Sequence, residues 1–239
     1  GAATPASAYE LGEVLERVRA ACPGMQLHGV SLMGAMSKVA NEDIAEVRLL
    51  YPRVFCASVV LEGPGRPTPV RVVTDAAEHA SDLDPWSPSA SHNVFRRVSA
   101  LATRALAFFL RRSHAVAQLQ PSPAEAHAEA QGAASDSAQG AASPGAIALE
   151  DLLLWLASYR DMFRRPCAIS GKVLALEPAS MHPLPPIFRP YMVPRQVLLD
   201  RATRADAVVA YHMHVAPQEL LGWDDDMPPT NVQAQLCAA

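Results

Sequence analysis

IAEVRLLYPRVFCASVVLEGPGRPTPVRVVTD, residues 44 to 75, decides the fold class. It holds three short runs rich in Val and Leu, 44–51, 54–61 and 69–75, separated only by Pro52-Arg53 and by GPGRPT. Connections this short allow tight turns but not the crossover helices that parallel strands require. The three runs therefore read as antiparallel strands, and MQLHGVSL, residues 25–32, reads as a fourth.

The segments around the sheet change period. In YELGEVLERVRAAC, residues 9–22, Leu11, Val14, Leu15, Val18 and Cys22 recur at helical spacing, and Pro23-Gly24 stops the helix. A second helix follows Pro85 and Pro88, with Ser91 as N-cap and Val94, Val98, Leu101, Ala105 and Phe108 as its apolar stripe. Trp86, in DPWSP, reads as a turn anchor. In ALEDLLLWLASYRDMF, residues 148–163, the stripe Leu149, Leu152, Leu153, Leu156 and Phe163 is widened by Trp155, Tyr159 and Met162. A helix with so little polar surface is buried on more than one side or meets a partner. A further short helix is expected within residues 197–214.

Between the second and third helices, residues 113–146 fall to Ala, Ser, Gln, Gly, Glu and Pro, with too little apolar bulk to offset the entropy of ordering. The expectation is an α+β fold, a small antiparallel sheet packed against amphipathic helices. It is organised as a disordered lead-in 1–8, one domain 9–216 with a disordered insertion 113–146 and a knuckle-like region 164–216, and a loose acidic tail 217–239. The opening GAATPAS, with Gly1 rather than Met, reads as a chain that continues upstream.

Composition narrows the function. Arg and Lys number 20 against 24 acids, and a net charge of -4 disfavours a general polyanion binder. The pairs Arg96-Arg97, Arg111-Arg112 and Arg164-Arg165 are local features, so direct nucleic-acid binding is not expected. No run reaches the 18 or so apolar residues of a membrane span, since Arg104 interrupts ALATRALAFFL. Four cysteines without paired spacing point to a reducing compartment. GxSxG, P-loop, GxGxxG and HExxH patterns are absent, and Asp224 to Asp226 read as a solvated tail.

RRPCAISGK, residues 164–172, holds the chemistry that remains. Two thiolates in Cys-x-x-Cys grip zinc from one tight turn, but here Ser170 occupies the second position. His182, His212 and His214 are possible helpers to Cys167, and of these only His212 and His214 form a spaced pair. The alternatives are a zinc-dependent or cysteine-dependent enzyme centred on Cys167, with Arg164 and Arg165 lowering the thiol pKa, and an inert buried thiol in a structural turn. LPPIFRP, residues 184–190, is either a polyproline-like ligand or a rigid connector that packs Ile187 and Phe188 into its own domain.

Taken in order, VLERVRAACPGMQLH (14–28), DPWSPSASHNVFRRVSALATRAL (84–106), LLLWLASYRDMFRRPCAISGKVL (152–174) and LPPIFRPY (184–191) resemble the C-terminal half of the family of Mediator complex subunit 27. The resemblance implies a compact α+β part that follows a helical N-terminal half, and it makes 113–146 an insertion within one domain. It implies a non-enzymatic scaffold in the tail region of the Mediator coactivator, acting in the nucleus on RNA polymerase II transcription. Other Mediator subunits and transcription activators are the implied partners, with no membrane. Relatives carry Cys-x-x-Cys and a later His-and-Cys pair; Cys167 and His212 match, whereas Ser170 and Val215 stand at the other two places. The expected cofactor is none, because hydroxyl and isopropyl groups do not replace thiolates and His214 substitutes only after local rearrangement. The expected partner interfaces are Leu152, Trp155, Leu156, Tyr159 and Phe163 on the third helix, Pro186, Phe188 and Tyr191 in the proline-rich segment, and the open face of the sheet.

Overall fold

In the computed structural model, which describes residues 6–32, 39–86, 92–119, 142–178 and 181–221, Pro52 and Arg53 turn the chain as the sequence demands. The Val54 N–H donates to the Tyr51 carbonyl at 3.0 Å, and Arg53 takes the left-handed region at φ 66°. A three-residue hairpin loop needs one such residue. Strands β1 (Gln26–Ser31), β2 (Ile44–Tyr51), β3 (Phe55–Leu61) and β4 (Pro69–Asp75) pair in the order β1-β2-β3-β4, each antiparallel to its neighbour.

The strands alternate as a half-covered sheet must. Leu27, Val47, Leu49, Phe55, Ala57, Val59 and Val72 point into a core shared with α1 (Ala6–Ala21), α2 (Asn93–Leu119) and α3 (Pro144–Ala157). The other face is less open than expected, because residues 76–86 fold across part of it. Arg48 donates to the carbonyls of Ala80 and Leu83 at 3.1 Å, and the Cys56 thiol donates to Ala76 at 3.1 Å. Cys56 and Ser58, on that face, are buried. Trp86, expected as a turn anchor, is 65 % exposed, with the Arg71 guanidinium 5.2 Å from its ring.

α3 is the hub of the helical layer. Every residue from Gly145 to Ala157 except Ile147 is buried, and α2, α1 and α4 (Arg195–Thr203) all pack on it. The breadth of its apolar surface is thereby explained by three neighbours within the same chain. Ser143 caps α3 through the Ala146 N–H at 3.3 Å, and Pro144 sits in its first turn. Gly145 is required there, since a Cβ would meet the Thr68 hydroxyl at 2.3 Å.

Several boundaries differ from expectation. α2 continues seven residues past Arg112, because Ser113 is buried and the following Ala, Val and Gln sustain a helix. The segment expected as a disordered insertion is therefore helical at 113–119, and residues 144–146 form the first turn of α3; residues 120–141 lie outside the described residues. α3 ends at Ala157 rather than Phe163. The Ser158 hydroxyl and the Arg160 guanidinium bind the Trp155 and Ala157 carbonyls, and a 3-10 turn follows at Ser158–Asp161. The last expected helix stops at Thr203, since residues 208–212 pair with the knuckle and with Phe188 instead. Ala6–Ala8 belong to α1, Gln218–Leu221 make one further helical turn (α5), and the rest of the expected lead-in and tail lies outside the described residues.

Candidate functional site

The knuckle begins where the 3-10 turn after α3 lets go. The Arg164 and Arg165 N–H groups donate to the Asp161 carbonyl at 2.8 and 2.9 Å, and the Arg165 side chain pairs with the Asp161 carboxylate. Pro166 then holds the chain extended into a tight loop. The Gly171 N–H donates to the Cys167 carbonyl and the Cys167 N–H to the Lys172 carbonyl, both at 2.9 Å. Gly171 adopts φ 65°, which favours a residue without Cβ.

Tertiary pairing brings the distant histidine to this loop. The Ala168 N–H donates to the Ala210 carbonyl at 2.8 Å, and two bonds of 3.0 Å join Phe188 and Tyr211. His212 is thus delivered beside Ser170, whose hydroxyl lies 3.3 Å from its Nδ1. Cys167 is 2 % exposed. Burial alone pushes its thiol up, yet hydrogen bonds from the Ser170 hydroxyl and from the backbone at Ser170, His212 and Ile169 outweigh it and set the thiol below its ordinary range. Burial, followed by the nearby His214, holds the His212 imidazole below its ordinary pKa, and its Nε2 meets no partner among the described residues.

The structure therefore unites Cys167, Ser170 and His212 but not a metal ligand set. His214 stacks at 5.8 Å on His212 and lines a one-water cleft with Glu177, Leu184 and Ile187. Among the described residues no group of three or more His, Cys, Asp or Glu side chains is placed to hold a metal ion. One thiolate, one imidazole and one neutral hydroxyl do not fit a structural zinc centre, which takes four thiolate or imidazole ligands. The loop is held instead by its own backbone bonds and by the Ser170 contact.

The residues expected to meet partners are mostly internal. Leu152, Leu156 and Tyr159 are fully buried, and Trp155, Pro186 and Phe188 are buried too. They fasten the proline-rich segment to α3: Trp155 Nε1 donates to the Arg189 carbonyl at 3.1 Å, and the Tyr159 hydroxyl to the Ile187 carbonyl at 2.8 Å. LPPIFRP is a connector. Tyr191 is half-buried among Phe108, Phe109 and Trp155, so of the eight candidates only Phe163 is exposed.

Arg189, which with Phe188 marks LPPIFRP, is buried. Its guanidinium is fully buried, 5.2 Å over the Tyr159 ring, and donates to the Pro186 carbonyl at 2.5 Å. Burial lowers its pKa to about 10, against the nearby Tyr159 and Asp161. A single Arg between Phe188 and Pro190 carries no periodic signal of burial; only the fold supplies the aromatic ring beneath it.

Two comparisons bear on this arrangement. The model of a family described as Mediator complex subunit 27 matches residues 116–214, a span that takes in α3, the knuckle and α4. Mediator of RNA polymerase II transcription subunit 27 from Arabidopsis thaliana is 25% identical over 179 residues, which are 75% of this chain and 35% of the relative. The chain thus covers little more than a third of that relative's length. Sequence blocks, family model and relative agree, and the chain resembles one family, Mediator complex subunit 27.

Proposed function

We propose that the chain is a scaffold subunit of the Mediator tail region, without catalytic activity, that supports regulated RNA polymerase II transcription in the nucleus. It acts by contact with other Mediator subunits and with transcription activators, and binds no nucleic acid directly. The single observation that carries this reading is the family match across α3 and the knuckle. The chemistry of the knuckle supports it. Cys167 is 2 % exposed and the His212 Nδ1 is turned to the Ser170 hydroxyl, so burial leaves the thiol without access to a substrate. No helix among the described residues is long and apolar enough to cross a membrane.

The test is recovery from nuclear extract on the immobilised, folded chain. Mediator subunits are expected to co-purify, identified by mass spectrometry. Recovery of none of them by a chain with a cooperative melting transition sinks the proposal.

We further propose that the knuckle needs no zinc. Emission spectroscopy on the purified chain is expected to find far less than one zinc per molecule, whereas the double variant Ser170→Cys with Val215→Cys takes up about one. Stoichiometric zinc in the unaltered chain contradicts this.

A further inference from the structure

Exposed apolar side chains are unevenly spread. Of eleven large ones among the described residues, five, Phe163, Ile169, Leu174, Leu176 and Met181, fall in the short stretch from the end of α3 to the β6 strand. That stretch is the knuckle and the β5–β6 hairpin, Ala175–Leu176 with Pro183–Leu184. Monomeric surfaces scatter such residues singly; a concentration of them on one small unit marks a contact surface.

Within residues 163–182 the exposed charged side chains are basic, and Asp161, at the edge of the unit, is paired with Arg165. Arg164, Lys172 and His182 are exposed, while the only carboxylate in residues 163–182, Glu177, is buried in an ion pair with Arg97. That ion pair, and the edge-on contact of Phe163 with Phe95 at 6.3 Å, lay the unit against the first turns of α2. α2 contains five Arg and no acid. The unit thus exposes apolar and basic side chains together, Leu174 and Leu176 on one side of their strand by alternation, within a chain of net charge -4.

We propose that this unit docks an amphipathic protein segment whose apolar side chains cover Ile169, Leu174 and Leu176 and whose flanking carboxylates meet Arg164 and Lys172. The segment rests on the scaffold reading above, since it belongs to a partner of the chain. Complementary charge selects it: a basic surface repels a basic helix and rewards an acidic one, by steering and by charge-assisted hydrogen bonds. An anionic lipid surface suits the same basic side chains but is disfavoured, because the chain's acid excess repels it as a whole.

The experiment uses the full chain and a synthetic, fluorescent, helix-forming peptide of about five turns, with Leu on one face and Glu beside it. A version with Lys for every Glu, and vesicles of phosphatidylserine, serve as the other arms. Anisotropy is expected to show saturable binding of the Glu peptide alone. Ile169→Asp with Leu174→Asp should weaken it at least about tenfold and Lys172→Glu about threefold. Melting temperatures should hold, because these side chains are exposed. Absence of binding, equal binding of the Lys peptide, binding to vesicles alone, or indifference to the substitutions overturns the proposal. Recovery from nuclear extract separates the two readings. If the substituted chain recovers the same Mediator subunits as the unaltered one, the surface fails and the scaffold stands; if the Glu peptide binds as described while no Mediator subunit is recovered, the reverse holds.

Discussion

Trp155→Ala is expected to lower the stability of the chain by about 3–5 kcal/mol, the range for removing a fully buried large aromatic side chain. The indole is 1 % exposed and meets Tyr159 edge-on at 5.1 Å and Tyr191 at 6.1 Å. Truncation opens a cavity at the centre of the helical layer and also strips the Arg189 carbonyl of its donor. A buried carbonyl left without a partner adds to the loss. Trp155→Phe keeps most of the ring and removes only the N–H, so about 1–2 kcal/mol is expected. Urea unfolding of the three chains measures both numbers. An Ala variant that loses less than about 1.5 kcal/mol contradicts the central position assigned to α3.

Arg112→Ala is the second large effect, again about 3–5 kcal/mol at neutral pH, the cost of breaking a buried ion pair from one side. Asp151, on α3, is 1 % exposed; Arg112 from α2 reaches it at 2.5 Å and Arg195 from α4 at 3.4 Å. Arg112 also donates to the Val193 carbonyl at 2.7 Å and lies over the rings of Phe108 and Phe109. Burial raises the Asp151 carboxyl above its usual range, and the two arginines only partly restrain it.

The pH dependence follows from that direction. A carboxyl raised in the folded state binds its proton more tightly there than in the unfolded chain. Its stabilising share is full below the unfolded value of about 3.9 and is lost as pH rises through the folded one. Without Arg112 the Asp151 carboxyl rises further, so the variant suffers most when Asp151 must ionise and least when it is protonated. The gap between unaltered chain and variant, measured in urea, should therefore narrow from pH 7 to about pH 4. A gap independent of pH would assign the loss to ring packing instead.

Much of the sheet was legible before any coordinates. Pro52-Arg53 and GPGRPT permit only tight connections, and the observed strands begin and end within a residue or so of those expected. Period and turn chemistry are local, and local rules suffice where tight turns fix which strands pair. The ends of α2 and α3 were less legible, because helix length there depends on side chains that bind the last carbonyls, such as Ser158 and Arg160. Residues 204–212 contain nothing that forbids a helix; a turn at 205–208 and the pairing of Ala210 and Tyr211 with Ala168 and Phe188 replace it.

The candidate site divides the same way. Sequence alone determined that Ser170 breaks the thiolate pair and that α3 is apolar nearly all round, and the backbone bonds between Cys167, Gly171 and Lys172 decided that the loop is a tight turn. Only the tertiary structure decided which neighbours use that apolar surface. Burial is a property of surroundings, and Leu152, Trp155 and Tyr159 present the same chemistry to a partner protein as to α2, α4 and the proline-rich connector of their own chain. The fold also decided that His212, 42 residues beyond Ser170, reaches its hydroxyl while His214 stacks outside it. Side-chain meetings across such separations are fixed by the packing of whole elements, which no spacing in the sequence encodes.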